Sequence, residues 1–449
     1  MPHLAIDAGY LYLTQWSMVL AFVFAIRALP ESSLDAKWTI VSLGLIGAVA
    51  GFTFIASEPP RLLEDFRAAY LRAGAAVLIH PQELISELQR GVDGFVNLPI
   101  VAYLFAPFAA IPGRTGELSF TLLGLVAVLC AWYGLCTLLN LGRRERMLLL
   151  LLFAAWGPLH NSVKEGNTSH FVLLLLVGAL TAIKFKRDFL AGAMLGLASI
   201  IKLPLLLFAA YALLRRRWNV LAGGATVCTL IALFSLLIFG WSAHVAWYVD
   251  VLAPYSEGQV LAFNVQSVRA FLGRLISDAS VLTSWDLAEL PSFVRGFGTL
   301  ISLSLLAFVG LVVARPISEA NHVAASERAA EIEFSLIVLL ACIVSPLSWS
   351  HYYCWLLVPA ALLMTPERLN LSKWSARAGL LAVALALPPV LMPPDSFGRD
   401  AWFVNLGVSH LLIAACIMIA VLLRARMRLF EDTSTVGASS ASQSLSTAV

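Results

Sequence analysis

Along the chain, apolar residues gather into long runs separated by short polar stretches. The runs fall at 10–29, 38–56, 118–140, 147–163, 168–185, 189–214, 219–241, 294–314, 334–364, 378–391 and 404–424. An α-helix needs about 20 apolar residues to cross a bilayer's hydrocarbon core, and most of these runs approach that length. They predict an all-α, polytopic integral membrane protein of about 11–14 transmembrane helices. Two runs are unusual. The run 189–214 holds Lys202 and Pro204, and 334–364 holds the stretch SPLSWSHYYCWLLVP, Ser345 to Pro359, with its polar residues at the middle.

Basic residues explain both. Clusters at Arg143–Arg146, Lys184–Arg187, Arg215–Arg217, Arg368–Arg377 and Arg424–Arg428 follow or precede apolar runs. Placing them in the cytoplasm, as the bias of Lys and Arg in short loops requires, makes 189–214 start and end on that side. It becomes a hairpin of two half-helices broken near Pro204. By the same logic 334–364 is a hairpin of two short spans that turns at Trp349-Ser350-His351 on the far side. Non-helical backbone survives there only if it is buried in protein or lines a watery cavity. The layout predicts one transmembrane domain, 1–430, in the cell's inner (plasma) membrane. Its two long extracytoplasmic loops are 57–97 and 242–293. The segment 98–111, short and interrupted by Pro99 and Pro107, reads as juxtamembrane or re-entrant, and 431–449 as a disordered cytoplasmic tail.

Composition strengthens the membrane reading and removes other classes. The 449 residues are 60% hydrophobic and 13% charged, where soluble domains carry about 25% charge. A net charge of +3 is too small to argue for nucleic acid. The N-terminus lacks a basic n-region, so no cleaved signal peptide is expected. All six cysteines lie in apolar segments without CxxC spacing and read as packing residues. The chain carries no P-loop, no GxGxxG after a strand, no HExxH and no DxD pair.

The candidate chemistry lies on one side of this layout. Lys202 would sit at a hairpin tip, although a charge at the helix centre costs roughly 2.5–3.5 kcal/mol. His351 shares a tight turn with Trp349, Tyr352 and Tyr353. Asp65 lies in EPPRLLEDFRAAYLRAGAAVLI, an amphipathic stretch suited to the membrane surface; Asp93 is a weaker competitor. Two polar patches, His160–Asn167 and Phe263–Arg269, complete the set. Each has an ordinary alternative: a snorkelling lysine, a satisfied histidine, a surface carboxylate, a solvated loop. An external site with no nucleotide-binding domain points to a lipid-carried substrate.

In order along the chain, EDFRAAYLRAGAAVL, FVNLPIVAYLFAPFAAIP, AGAMLGLASIIKLPLLLFAAYALLRRRW, the segment Phe263 to Arg269 and SPLSWSHYYCWLLVP resemble five motifs of one family. These are the polyprenol-phosphate-sugar-dependent membrane glycosyltransferases of the GT-C fold, nearest to glycosyltransferase family 87. The resemblance implies transfer of a mannose- or arabinofuranose-like sugar, with inversion, from a polyprenyl-phosphate donor to a lipid or glycan acceptor hydroxyl. It implies Asp65 as general base and Lys202, His351 and Arg269 as donor-phosphate ligands. Tyr70, Asn167, Asn264, Ser267, Trp349 and Tyr352 would contact substrate. No cofactor is implied, since the polyprenyl-phosphate sugar is itself a substrate, and a divalent metal is not obligatory. The implied partners are the bilayer, donor and acceptor, with no nucleic acid. Asn97-Leu98-Pro99 stands where the family has Tyr-Pro-Pro, and Gly166-Asn167-Thr168-Ser169 where it has Gly-Gln-x-Asn; both departures bear on the sugar or acceptor. A transporter or flippase of a lipid-linked or anionic substrate is the rival class, and a non-catalytic membrane subunit a third.

Overall fold

A computed structural model describes residues 62–91, 94–315, 323–391 and 402–446. The apolar runs at 10–29 and 38–56, and Asp93, lie outside the described residues. The architecture is helical, with one small exception: strands β1 (Gly258–Val260) and β2 (Leu287–Glu289) pair antiparallel, Gly258 opposite Glu289. Among the described residues four helices are long and apolar enough to cross a membrane alone, Arg114–Leu138, Trp218–Glu257, Ser292–Ala314 and His410–Leu429. Shorter apolar helices, Ser169–Lys184, Asp188–Ile201 and Leu203–Leu214, accompany them. This is the all-α polytopic membrane class that the apolar runs predict.

The chain shuttles between two ends of a bundle. After α1 (Leu71–Ile79), the segment 98–111 forms only short turns, Pro99–Leu104 and Ala106–Ala109, too brief to span. Then follow α2 (Arg114–Leu138), α3 (Arg143–Ala155), α4 (Gly157–Glu165), α5 (Ser169–Lys184), α6 (Asp188–Ile201), α7 (Leu207–Leu214) and α8 (Trp218–Ala246). Beyond the second loop, which carries α9 (Val268–Arg274), come α10 (Ser292–Ala314), α11 (Val323–Val344), α12 (Leu357–Leu363), α13 (Lys373–Ala386) and α14 (His410–Ser446). Basic clusters converge at one end. Lys184 bonds the carbonyl of Leu138, Arg368 that of Leu139, and Arg426 that of Arg315.

Both predicted hairpins are present. α6 stops at Lys202, whose backbone is extended, because Pro204 has no N–H to continue the helical ladder and its ring would clash with the carbonyl four residues back. α7 then returns, so that Arg217 at the start of α8 lies 4.0 Å from Asp188 at the start of α6. α6 and α8 therefore run parallel, and they pack closely: a Cβ on Gly192 would lie 1.9 Å from the Val220 carbonyl oxygen. Small residues at such a crossing let backbones touch where lipid supplies no hydrophobic drive. In the second hairpin, Arg368 after α12 grips Glu331 near the start of α11 at 2.5 and 3.1 Å. Its tip is the polar stretch beyond Val344. α14 runs on to Ser446, through the Ser- and Ala-rich stretch from 431. Extending an existing helix costs far less than nucleating one.

Candidate functional site

The first loop is built around Asp65. A π-helical turn, Phe66–Tyr70, leads into α1, and aromatic rings lock it down. Phe66 stacks on Phe120 with ring centroids 4.3 Å apart, and Tyr70 on Phe105 at 4.4 Å. The amide of Leu63 donates to the Lys164 carbonyl at 2.6 Å, tying this loop to the turn after α4. There Gly166 takes φ +68°, and a Cβ on it would come within 2.6 Å of the Phe66 Cβ. Its neighbour Asn167 is aimed by Ser169, whose hydroxyl donates to its Oδ1 at 3.2 Å. The Asn167 amide in turn donates to Asp65 Oδ2 at 2.8 Å and to the Tyr70 hydroxyl at 3.0 Å. Burial holds the Asp65 carboxyl above the ordinary carboxylate range, with Asn167 and the Lys202 ammonium pulling the other way. Tyr70 is raised too, by burial and by Asp65.

Lys202, 3% exposed at the hairpin break, extends its ammonium over the Tyr352 ring, 4.7 Å from the centroid. Its charge reaches both Asp65 and His351, yet it forms no ion pair with Asp65. The His351 ring contacts the Tyr352 ring at 5.1 Å and lies near-parallel to Trp349 at 6.5 Å. His351 is 6% exposed, and its Nε2 is buried with no hydrogen-bond partner. A buried polar atom of this kind calls for a hydrogen-bond partner.

The turn that carries His351 is held by the second loop and by α3–α5. Ser350 donates its amide to the Asn264 carbonyl at 2.7 Å, and Gln266 its amide to Ser348 at 2.6 Å. Val265 and Trp349 form an antiparallel bridge between these bonds. The Tyr353 hydroxyl donates to the Gln266 carbonyl at 2.6 Å, Asn161 to the Ser350 hydroxyl at 2.8 Å, and Trp156 to the Tyr353 carbonyl at 3.0 Å.

Asp65, Tyr70 and Asn167 thus form one hydrogen-bonded group and Lys202, Tyr352 and His351 a second joined by ring contacts, with the Lys202 charge acting on Asp65 across them; together they are the candidate site. Asn264, Ser267 and Trp349 belong to its frame: Asn264 acts through its carbonyl, and Ser267 caps α9 by accepting the Ala270 amide at 3.1 Å. Arg269 is engaged elsewhere. Its guanidinium, lowered in pKa by burial and by Arg295, donates to the Tyr255 carbonyl at 3.0 Å and to Thr299 at 3.5 Å. Residues that sequence reasoning did not single out for the site are Asn161, Thr168 and Ser350; Thr168 and Asn97 both approach the Tyr70 hydroxyl. Their signal was position, since each lies within or beside a polar stretch already marked. Among the described residues no three His, Cys, Asp or Glu side chains cluster as metal ligands.

The candidate groups, an acid, an amine and an imidazole, thus belong to a helical polytopic membrane protein. The model of glycosyltransferase family 87 matches residues 95–346, more than half of the sequence, and the chain belongs to that family. It is a membrane glycosyltransferase. Lys202, Asn167, Asn264, Ser267 and Arg269 lie inside the matched residues, whereas Asp65, Tyr70, Trp349, His351 and Tyr352 flank them. The chain is similar to a polyprenol-phosphate-mannose-dependent alpha-(1-2)-phosphatidylinositol pentamannoside mannosyltransferase of Mycolicibacterium smegmatis. The identity is 26% over 273 residues, spanning 59% of this chain and 59% of that relative. A polyprenol-phosphate-mannose-dependent alpha-(1-2)-phosphatidylinositol mannoside mannosyltransferase of the same organism is 24% identical over 417 residues, 86% of this chain and 89% of its own. A pentamannoside mannosyltransferase of Mycobacterium tuberculosis is 26% identical over 326 residues, 69% and 68% of the two chains. No solved structure matches.

Proposed function

We propose that this enzyme moves a sugar of the mannose or arabinofuranose type from a polyprenyl-phosphate donor to a hydroxyl of a lipid or glycan acceptor, at the extracytoplasmic face. The names of its relatives support a polyprenol-phosphate-mannose donor and a phosphatidylinositol mannoside acceptor. The observation that carries the reading is the spacing of charges. The Lys202 charge acts on Asp65 without pairing, and His351, whose Nε2 has no partner, contacts the same Tyr352 ring that the Lys202 ammonium covers.

In the reaction, the acceptor oxygen attacks the anomeric carbon opposite the phosphate, and its proton passes to Asp65. The bond from the anomeric carbon to the phosphate oxygen breaks, inverting that centre and releasing a polyprenyl phosphate monoester. Negative charge grows on the leaving phosphate, where Lys202 and His351 stabilise it in a low-dielectric setting. Burial makes Asp65 a stronger base than a free aspartate. Arg269 would join the phosphate ligands only by leaving the Tyr255 carbonyl. With the Lys202 ammonium supplied by the chain, the reading requires no divalent ion.

The test is transfer of mannose from polyprenyl-phosphate mannose to phosphatidylinositol mannosides by purified protein in lipid. Asp65→Asn should retain donor binding and lose turnover by about 10²- to 10⁴-fold, the range of general-base contributions. Full turnover in that variant would overturn Asp65 as base. Lipid flipping without transfer by the native protein would overturn the reaction itself.

A further inference from the structure

Arg274, at the end of α9, is 6% exposed, and its guanidinium faces neutral acceptors on every side. Nε donates to Asn405 Oδ1 at 2.9 Å and Nη2 to the Ser409 hydroxyl at 2.9 Å. Nη1 donates to the carbonyls of Val265 at 2.8 Å, Ala262 at 3.2 Å and Leu261 at 3.5 Å. Among the described residues no carboxylate pairs with it. Burying such a charge is costly, and its partners show what the cost achieves. The fork joins the short helix Trp402–Val408 and Ser409, just before α14, to the loop edge 261–265, and that edge holds the late turn through the Val265–Trp349 bridge and the Ser350 amide on the Asn264 carbonyl. A second link runs the same way, from Gln266 Nε2 to the Val408 carbonyl at 2.6 Å.

We propose that Arg274 is a positioning residue for the sugar-transfer site, clasping the second loop so that the late turn presents His351 to the donor phosphate. The inference rests on the assignment of His351 above. A planar guanidinium reaches five acceptors from one fixed plane, and a lysine ammonium, a single point with three donors, does not replace it.

The experiment uses the full-length protein in lipid, comparing Arg274→Lys, His351→Ala and their double variant for donor kinetics and for amide exchange at residues 345–352. Arg274→Lys should speed exchange of the Ser350 amide at least about 10-fold and raise the donor KM at least about 10-fold. Combined with His351→Ala, it should add little to the loss that His351→Ala causes alone, as coupled residues do. Exchange at 345–352 equal to wild type, or losses that multiply in the double variant, would overturn the clasp. Faster exchange with an unchanged donor KM would show that the clasp holds the turn but that His351 does not meet the donor, which ends the proposal through its premise. If Arg274→Lys does not fold, Asn405→Ala and Ser409→Ala each remove one acceptor, and the same two readouts apply at about two- to fivefold.

Discussion

The buried charges of the basic end and those of the candidate site are held in opposite ways. At the basic end, buried charges are paired to the point of redundancy. Glu333, fully buried, accepts from Arg426 at 2.8 Å, from Arg215 at 3.1 Å and from the Tyr211 hydroxyl at 3.3 Å. Glu331 is closed by Arg368. At the candidate site, Asp65 and Lys202 act on each other but remain apart, and the polar atom of His351 is unmet. Charges brought into contact with each other hold helices together. Charges held close but separate, each by its own scaffold, leave room for an ion that the substrate brings.

The contrast is tested most severely at the paired end. Glu333→Gln leaves Arg426 and Arg215 facing each other without their shared anion, and breaking a buried pair from one side costs about 3–5 kcal/mol. We expect this variant to lose most of its folded yield in detergent, or to melt well below the wild type. Folded protein of normal stability would mean that the pairing is dispensable and that the two regions do not differ in kind.

Lys202→Met should do the reverse. The ammonium has no carboxylate to abandon, so its removal strands no buried anion, and the apolar replacement can still pack on the Tyr352 ring. Stability should be at or above that of the wild type, while kcat/KM for the donor falls about 10²-fold, in line with the loss of one electrostatic ligand to a developing phosphate charge. A variant that failed to fold, or that melted well below the wild type, would place Lys202 among the structural charges.

Much of this division was legible in the sequence. Lys202 before Pro204 is a cation at a helix break, and the asymmetry of Arg and Lys around it fixes which end of the hairpin it occupies. Asp65 and His351 fall on that same end for the same reason. The partners of Glu331 and Glu333 were not legible. They come from Arg368, Arg215 and Arg426, distant in sequence, and a basic cluster after a span looks the same whether it meets lipid headgroups or a buried glutamate. Nor was the choice between Arg269 and Arg274. Both sit on α9, and only the direction of each side chain, set by what packs around a short helix, turns one to Thr299 and the other into a clasp. Asn264 was legible as a polar residue, but it works through its carbonyl, which every residue has.

The smallest expected effect is the most diagnostic of a charge held for use. Burial raises the Asp65 pKa, so the fold favours the neutral acid. The stability tied to this group is fully present below the value of the unfolded chain and is lost as pH rises through the raised folded value. Asparagine can accept the Asn167 amide as the carboxylate does, yet it carries no charge to desolvate. Asp65→Asn should therefore melt a few degrees above the wild type at neutral pH, with the gap closing as the solution is acidified below the ordinary carboxylate range. Wild-type turnover should run oppositely, rising with pH through the same raised value as the base ionises. A melting curve for Asp65→Asn that lies below the wild type at neutral pH would show Asp65 to be a stabilising ion. It would then belong with Glu333 at the paired end, and the site would lose its base.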